Sequence, residues 1–143
     1  MQDSKRSILA WACYDWANSA FATTVMAGFF PVFFSAYWAV GASSEQGTFY
    51  LGVANSLGSL IVALLAPFLG AIADWGSYKK RLLAFFALLG SVMTASLYVL
   101  QMGNWPMAVL FYSLAVVGFS GANTFYDALL PFVASEKKVD YVS

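Results

Sequence analysis

Four long apolar runs alternate with short polar breaks along this chain, at about 8–40, 48–73, 82–100 and 107–133. A bilayer core about 30 Å thick takes roughly 20 helical residues at 1.5 Å each, and every run is near or above that length. The runs are continuous and lack a period of two, so they predict membrane-crossing α-helices and not a barrel. The first run is too long for one straight crossing. It is expected to start at the inner interface, tilt, and bend at Pro31 near its outer end. GASSEQG (41–47) and MGNWP (102–106) read as outside loops, with Pro106 suited to the first turn of the fourth helix. The pattern predicts an all-α integral membrane fold with four crossings, organised as a single domain over 1–143.

The placement of charge gives the orientation. The basic residues form three clusters: Lys5 and Arg6; Lys79, Lys80 and Arg81; Lys137 and Lys138. Between them lie 72 and then 55 residues without Lys or Arg. Basic residues stay on the cytoplasmic side of a membrane. Two crossings per gap put all seven there, with both termini cytoplasmic and the chain expected in the cell membrane. Asp15 interrupts the apolar run behind Lys5 and Arg6, so the first run reads as a retained span and not as a signal peptide.

Composition agrees and excludes other classes. The chain is 61% hydrophobic and 10% charged, with a mean hydropathy of +0.71; soluble domains run about 25% charged. The formal net charge is zero, so nothing points to nucleic acid. With one cysteine, Cys13, and no histidine, no intramolecular disulfide and no metal site are expected, and no cofactor. A membrane enzyme is disfavoured because no nucleophile stands beside a base.

Within the spans, two kinds of face stand out. Gly52, Ser56, Ser59, Ala63, Ala66 and Gly70 recur at spacings of four and three on one face of the second span. Such a face is expected to pack closely against a neighbouring helix, or to slide against one during a transport cycle. The second kind is polar. Asp15 has Asn18 and Ser19 at i+3 and i+4, and Asp127 has Asn123 and Thr124 at i−4 and i−3. Carboxylates among apolar residues belong to an interior or a water-filled cavity. Asp15, Asn18, Asn123 and Asp127 are therefore candidates for binding a substrate amine or a proton. The alternative is that each carboxylate anchors a helix by pairing with a cytoplasmic basic residue. Phe29, Phe30, Phe33 and Phe34 read as lipid-facing or packing residues, and Tyr37 and Trp38 as an outer interfacial belt.

The link GAIADWGSYKKRL (70–82) resembles the signature loop after the second helix of the major facilitator superfamily. Gly70, Ala73, Asp74, Lys79 and Leu82 match that pattern, whereas Trp75 and Tyr78 replace two arginines and Ser77 a glycine. The resemblance implies a conformational latch formed by Gly70, Asp74, Lys79 and Arg81. In the superfamily a loop arginine pairs with an acid of the fourth helix; here Lys79 or Arg81 would have to reach Asp127. YDWANSAFATTVMAGFFPVFF (14–34), the stretch 49–74 and GFSGANTFYDALLP (118–131) together resemble the vacuolar amino-acid effluxer family, the autophagy-related protein 22-like branch. That implies a proton-coupled or facilitative secondary transporter of small solutes, amino acids first among them, working by alternating access. Its first and fourth helices would line the cavity. Members have twelve helices built from inverted repeats, so these four correspond to the first four. The chain is then expected to be an N-terminal portion completed by further C-terminal helices or by an oligomer partner. The competing reading is a small four-helix membrane assembly protein that moves no solute.

Overall fold

The computed structural model describes residues 4–74 and 78–133, with the side chains of Ala73 and Asp74 left out. Among the described residues four helices are long and apolar enough to cross a membrane. They are α1 (Lys5–Trp38), α2 (Ser44–Asp74), α3 (Lys79–Val99) and α4 (Trp105–Asp127). A single turn, α5 (Leu130–Val133), follows. The described residues are all-helical, and the protein is a multi-pass membrane protein. Residues 75–77 and 134–143, on which parts of the sequence reading fall, lie outside the described residues.

The first helix crosses Pro31 without a break. Pro31 has no N–H to give, which removes one rung of the ladder, and wide turns of the π type lie on both sides of it. Phe30 N–H bonds back five residues to the Val25 carbonyl, and Ala39 N–H does the same to Phe34 over 2.8 Å. Such turns re-phase the faces of a helix. Here Phe30, Phe34 and Trp38 come to lie on α4, each 1% exposed or less, and Phe30 stacks on Tyr112 at 3.7 Å. Trp38 is thus a core residue and not part of an interfacial belt. The sequence expectation fails because the wide turns shift which side of α1 faces inward.

The second helix opens on a capping box. Ser43 Oγ accepts from Gln46 N–H over 3.2 Å, and Gln46 Oε1 accepts from Ser43 N–H over 3.0 Å, satisfying two donors that the helix start would leave open. α2 packs on α4 through Ala54 and Gly58, where a β-carbon on Gly58 would meet Val116 at 3.2 Å. Polar bonds join the same contact: Ser113 Oγ donates to the Ala54 carbonyl (3.2 Å) and Tyr112 Oη to Asn55 Oδ1 (3.0 Å). Leu69 carries this face to the inner end.

The small-residue face of α2 is not the one that packs within these four helices. Gly52, Ser56, Ser59, Ala63 and Ala66 are exposed and Gly70 is half-buried; a β-carbon on Gly52 or Gly70 would touch nothing within 4 Å. Both faces of α2 recur every three to four residues; the inward one combines close approach at Ala54 and Gly58 with the apolar side chains of Leu51, Ile61, Leu65 and Leu69.

α4 is the central helix, with α2 and α3 on its flanks and α1 laid across it through aromatic stacks. Gly118 and Gly90 mark the closest approach of α3 to α4: a β-carbon on Gly118 would lie 2.8 Å from the Phe86 carbonyl and overlap the Gly90 backbone. Gly121 makes room for the Phe86 ring in the same way. The fourth helix also ends earlier than the sequence suggests. It stops at Asp127, turns through Ala128 and Leu129, and restarts at Leu130. Pro131 cannot donate to the Asp127 carbonyl and is suited to a first turn, so the break falls just ahead of it. At the other end, Gly103 (φ 82°) turns the α3–α4 loop and donates its N–H to the Tyr37 carbonyl over 3.0 Å. Contacts of Trp11 with Tyr126 and of Lys79 with Ala128 put the starts of α1 and α3 beside the end of α4. The basic clusters at 5–6 and 79–81 therefore share one end of the bundle.

Candidate functional site

The polar positions of α1 and α4 meet along the seam between these two helices. Asn18 Nδ2 donates to Asn123 Oδ1 over 2.6 Å, across 105 residues of chain. Both amides are half-buried, and in an apolar medium each would otherwise lack a partner. About one turn closer to the inner end lies Asp15, which interacts electrostatically with Asp127 at the end of α4. Both carboxylates are exposed on the four-helix unit. All four sequence-predicted site residues thus fall on one seam.

Tyr126 lies in the middle of this group and was not foreseen from sequence. It is 5% exposed, its ring stacked on Trp11 at 4.4 Å and tilted against Tyr14 at 5.0 Å. Its hydroxyl donates to the Trp11 carbonyl over 3.4 Å. A signal was present: a tyrosine directly precedes the acid in both helices, Tyr14–Asp15 and Tyr126–Asp127.

Beside the seam, α1, α3 and α4 line a half-open pocket of about 530 Å³. Tyr14, Asn18, Phe21, Thr24, Phe86 and Thr94 are among its walls, and Asn18 joins it to the acidic group. The volume is that of a small-molecule site. Two carboxylates near enough to interact electrostatically favour a cation or a proton between them, and the amide pair offers both a donor and an acceptor.

The latch residues are placed less directly. Asp74 closes α2, and its side chain lies outside the described structure. Lys79 Nζ donates to the Ala128 carbonyl over 3.4 Å and lies 4.6 Å from the centre of the Phe132 ring. The charge thus sits at the C-terminal end of α4, where a cation is favoured. It reaches the backbone just past Asp127, where the resemblance implied the carboxylate itself. Arg81 lies over the Tyr78 ring at 5.9 Å.

Comparison with known proteins gives a family. Residues 39–141 match the family described as vacuole effluxer Atg22 like. An uncharacterized MFS-type transporter, YxiO of Bacillus subtilis, is 43% identical over 135 residues, covering 94% of this chain and 32% of the relative. Autophagy-related protein 22-1 of Penicillium rubens is 23% identical over 173 residues, covering 90% of this chain and 29% of the relative. This chain therefore spans about a third of the length of the curated relatives it matches. No solved structure matches it. With the family match covering most of the chain, the chain belongs to the vacuole effluxer Atg22-like family.

Proposed function

We propose that the chain forms part of a secondary transporter for small solutes, amino acids among them, and that the α1–α4 seam binds the solute or a coupling proton. The observation that carries this is the meeting of Asp15, Asn18, Asn123 and Asp127 on one seam, with Asn18 and Asn123 bonded across it. Ionisable groups at membrane depth mark substrate and proton paths. Alternating access would rock these helices against a second bundle. The outward small-residue face of α2 suits close contact with further helices, from the rest of a longer chain or from a second copy. The shared end of the basic clusters supports an orientation with both termini cytoplasmic, in the cell membrane. Gly70, Asp74, Lys79 and Arg81 act in this reading as the latch at the cytoplasmic end.

The test is uptake of a radiolabelled amino-acid mixture into proteoliposomes under an imposed pH gradient, using the polypeptide expressed from its complete gene. Uptake that falls at least tenfold in Asp15→Asn or Asp127→Asn supports the reading. Uptake unaffected by either substitution would remove the seam from the transport path. Correctly folded protein that moves none of the mixture would favour an assembly role.

A further inference from the structure

Asn55 sits eleven residues into α2, about 16 Å from its outer start and so near the middle of a bilayer core about 30 Å thick. Its Oδ1 accepts from the Tyr112 hydroxyl over 3.0 Å. That hydroxyl cannot swing away, because the Tyr112 ring is 1% exposed and stacked on Phe30 at 3.7 Å and 8°. The bond fixes the amide: its oxygen is held against α4 and its Nδ2 group is turned away. Among the described residues Nδ2 donates to nothing, and Asn55 is exposed on the four-helix unit. Amide N–H groups left in hydrocarbon are costly, so this side of α2 meets a group that accepts them.

The two flanks of α2 differ. Leu57, Leu60, Leu64 and Phe68, between 38% and 68% exposed, line one flank, which suits lipid. At 3.6 residues per turn, Asn55 and Ser59 fall on the opposite flank. That flank lies toward α1, since the tyrosine that Asn55 bonds is the one on which Phe30 of α1 stacks. Tyr112 and Asn123 are eleven residues apart, three helical turns, and so share one face of α4. Asn55 therefore extends the face of the α1–α4 seam outward by about 16 Å. The chemistry also changes along it. The inner end offers carboxylates, whereas Asn55 and Ser59 offer N–H and O–H donors.

We propose that Asn55 contacts the carboxylate of a transported amino acid in the outer half of the path, with Tyr112 as the positioning residue that aims its amide. The inference rests on the reading of the chain as part of an amino-acid transporter. It deepens that reading by giving the two charged groups of the solute separate stations, the ammonium at the acids of the inner end and the carboxylate at Asn55. About 16 Å of helix is too far for one amino acid to bridge, so the two contacts are made in succession.

The experiment uses the polypeptide expressed from its complete gene, in proteoliposomes. Uptake of the radiolabelled amino-acid mixture is measured against unlabelled amino acids and against their carboxamides, which carry a neutral group in place of the carboxylate. Carboxamides are expected to compete at least tenfold worse in wild type, a neutral acceptor being weaker than a charged one. Asn55→Leu keeps the volume and removes the donors. It is expected to raise KM about tenfold, as for loss of a hydrogen bond to a charged group, and to let carboxamides compete within about twofold of the amino acids. Tyr112→Phe keeps the stacked ring and is expected to raise KM about threefold with the maximal rate unchanged. A second measurement needs no transport. In a Cys13→Ser background, Asn55→Cys is expected to react with a membrane-impermeant maleimide, whereas Leu60→Cys, 56% exposed on the opposite flank, is not. An unchanged KM and carboxylate preference in Asn55→Leu would overturn the proposal. So would an Asn55→Cys as unreactive as Leu60→Cys, which would place a further helix or a second copy over the amide. With either result, a loss of uptake in Asp15→Asn would leave the transport reading standing. Wild-type protein that moves no amino acid would defeat both.

Discussion

Asn18 and Asn123 face each other as amides with few other partners, joined over 2.6 Å. Interhelical bonds of this kind within membranes average about 0.6 kcal/mol in double-mutant cycles. Asn18→Ala is accordingly expected to lower stability in detergent by about 0.5–1.5 kcal/mol, and the double Ala variant by little more than the worse single one; additive losses would mean that the amides act separately. Phe30 presents a larger case. Its ring is 1% exposed and stacked on Tyr112, so Phe30→Ala should cost about 3–5 kcal/mol, measured by the same unfolding. The polar seam was legible in the sequence because a carboxylate or amide inside an apolar run is conspicuous by itself. Tyr126 and Trp38 were not. Aromatic residues make up 18% of the chain, and belt, lipid face and core all tolerate them, so residue type alone leaves their side of the helix open.

The helices themselves were legible, since continuous apolar length is a property of the sequence. Their faces were less so. α2 carries two faces of equal periodicity, and only the packing with α4 reveals that Ala54 and Gly58 mark the inward one. Two substitutions test the packing, one at the tight α3–α4 contact and one on the outward face of α2. Gly118→Val drives a side chain into the Gly90 backbone and should destabilise the α3–α4 pair by at least the ~1–3 kcal/mol typical of overpacking. Gly52→Ala meets open space within this unit and should leave the unfolding temperature within the scatter of wild type. A large loss in Gly52→Ala would show a further helix already pressed against that face. The early end of α4 was also hidden, because Ala128 and Leu129 look as helical as their neighbours. Only Pro131, which removes the donor a continuous helix would need there, signals the break.

At the scale of the whole molecule, the basic residues described at the starts of α1 and α3 lie at one end, and the candidate site lies nearer that end than the other. A carboxylate, an amide and a tyrosine gathered between two helices, next to a half-open pocket of about 530 Å³, have a clear purpose if water and solute reach them. The most direct test is therefore access. Ser19→Cys is nearly isosteric, exposed, and one helical turn from Asp15 on the same face. It would be made in a Cys13→Ser background, with Val32→Cys, exposed at 72% on an apolar stretch of α1, as the lipid-facing control. With a membrane-impermeant maleimide, the account predicts that Ser19→Cys is labelled, that a transported amino acid slows the labelling severalfold, and that Val32→Cys stays unreactive. If Ser19→Cys is as unreactive as Val32→Cys, the seam faces lipid or sealed protein, and a solute path between α1 and α4 is contradicted.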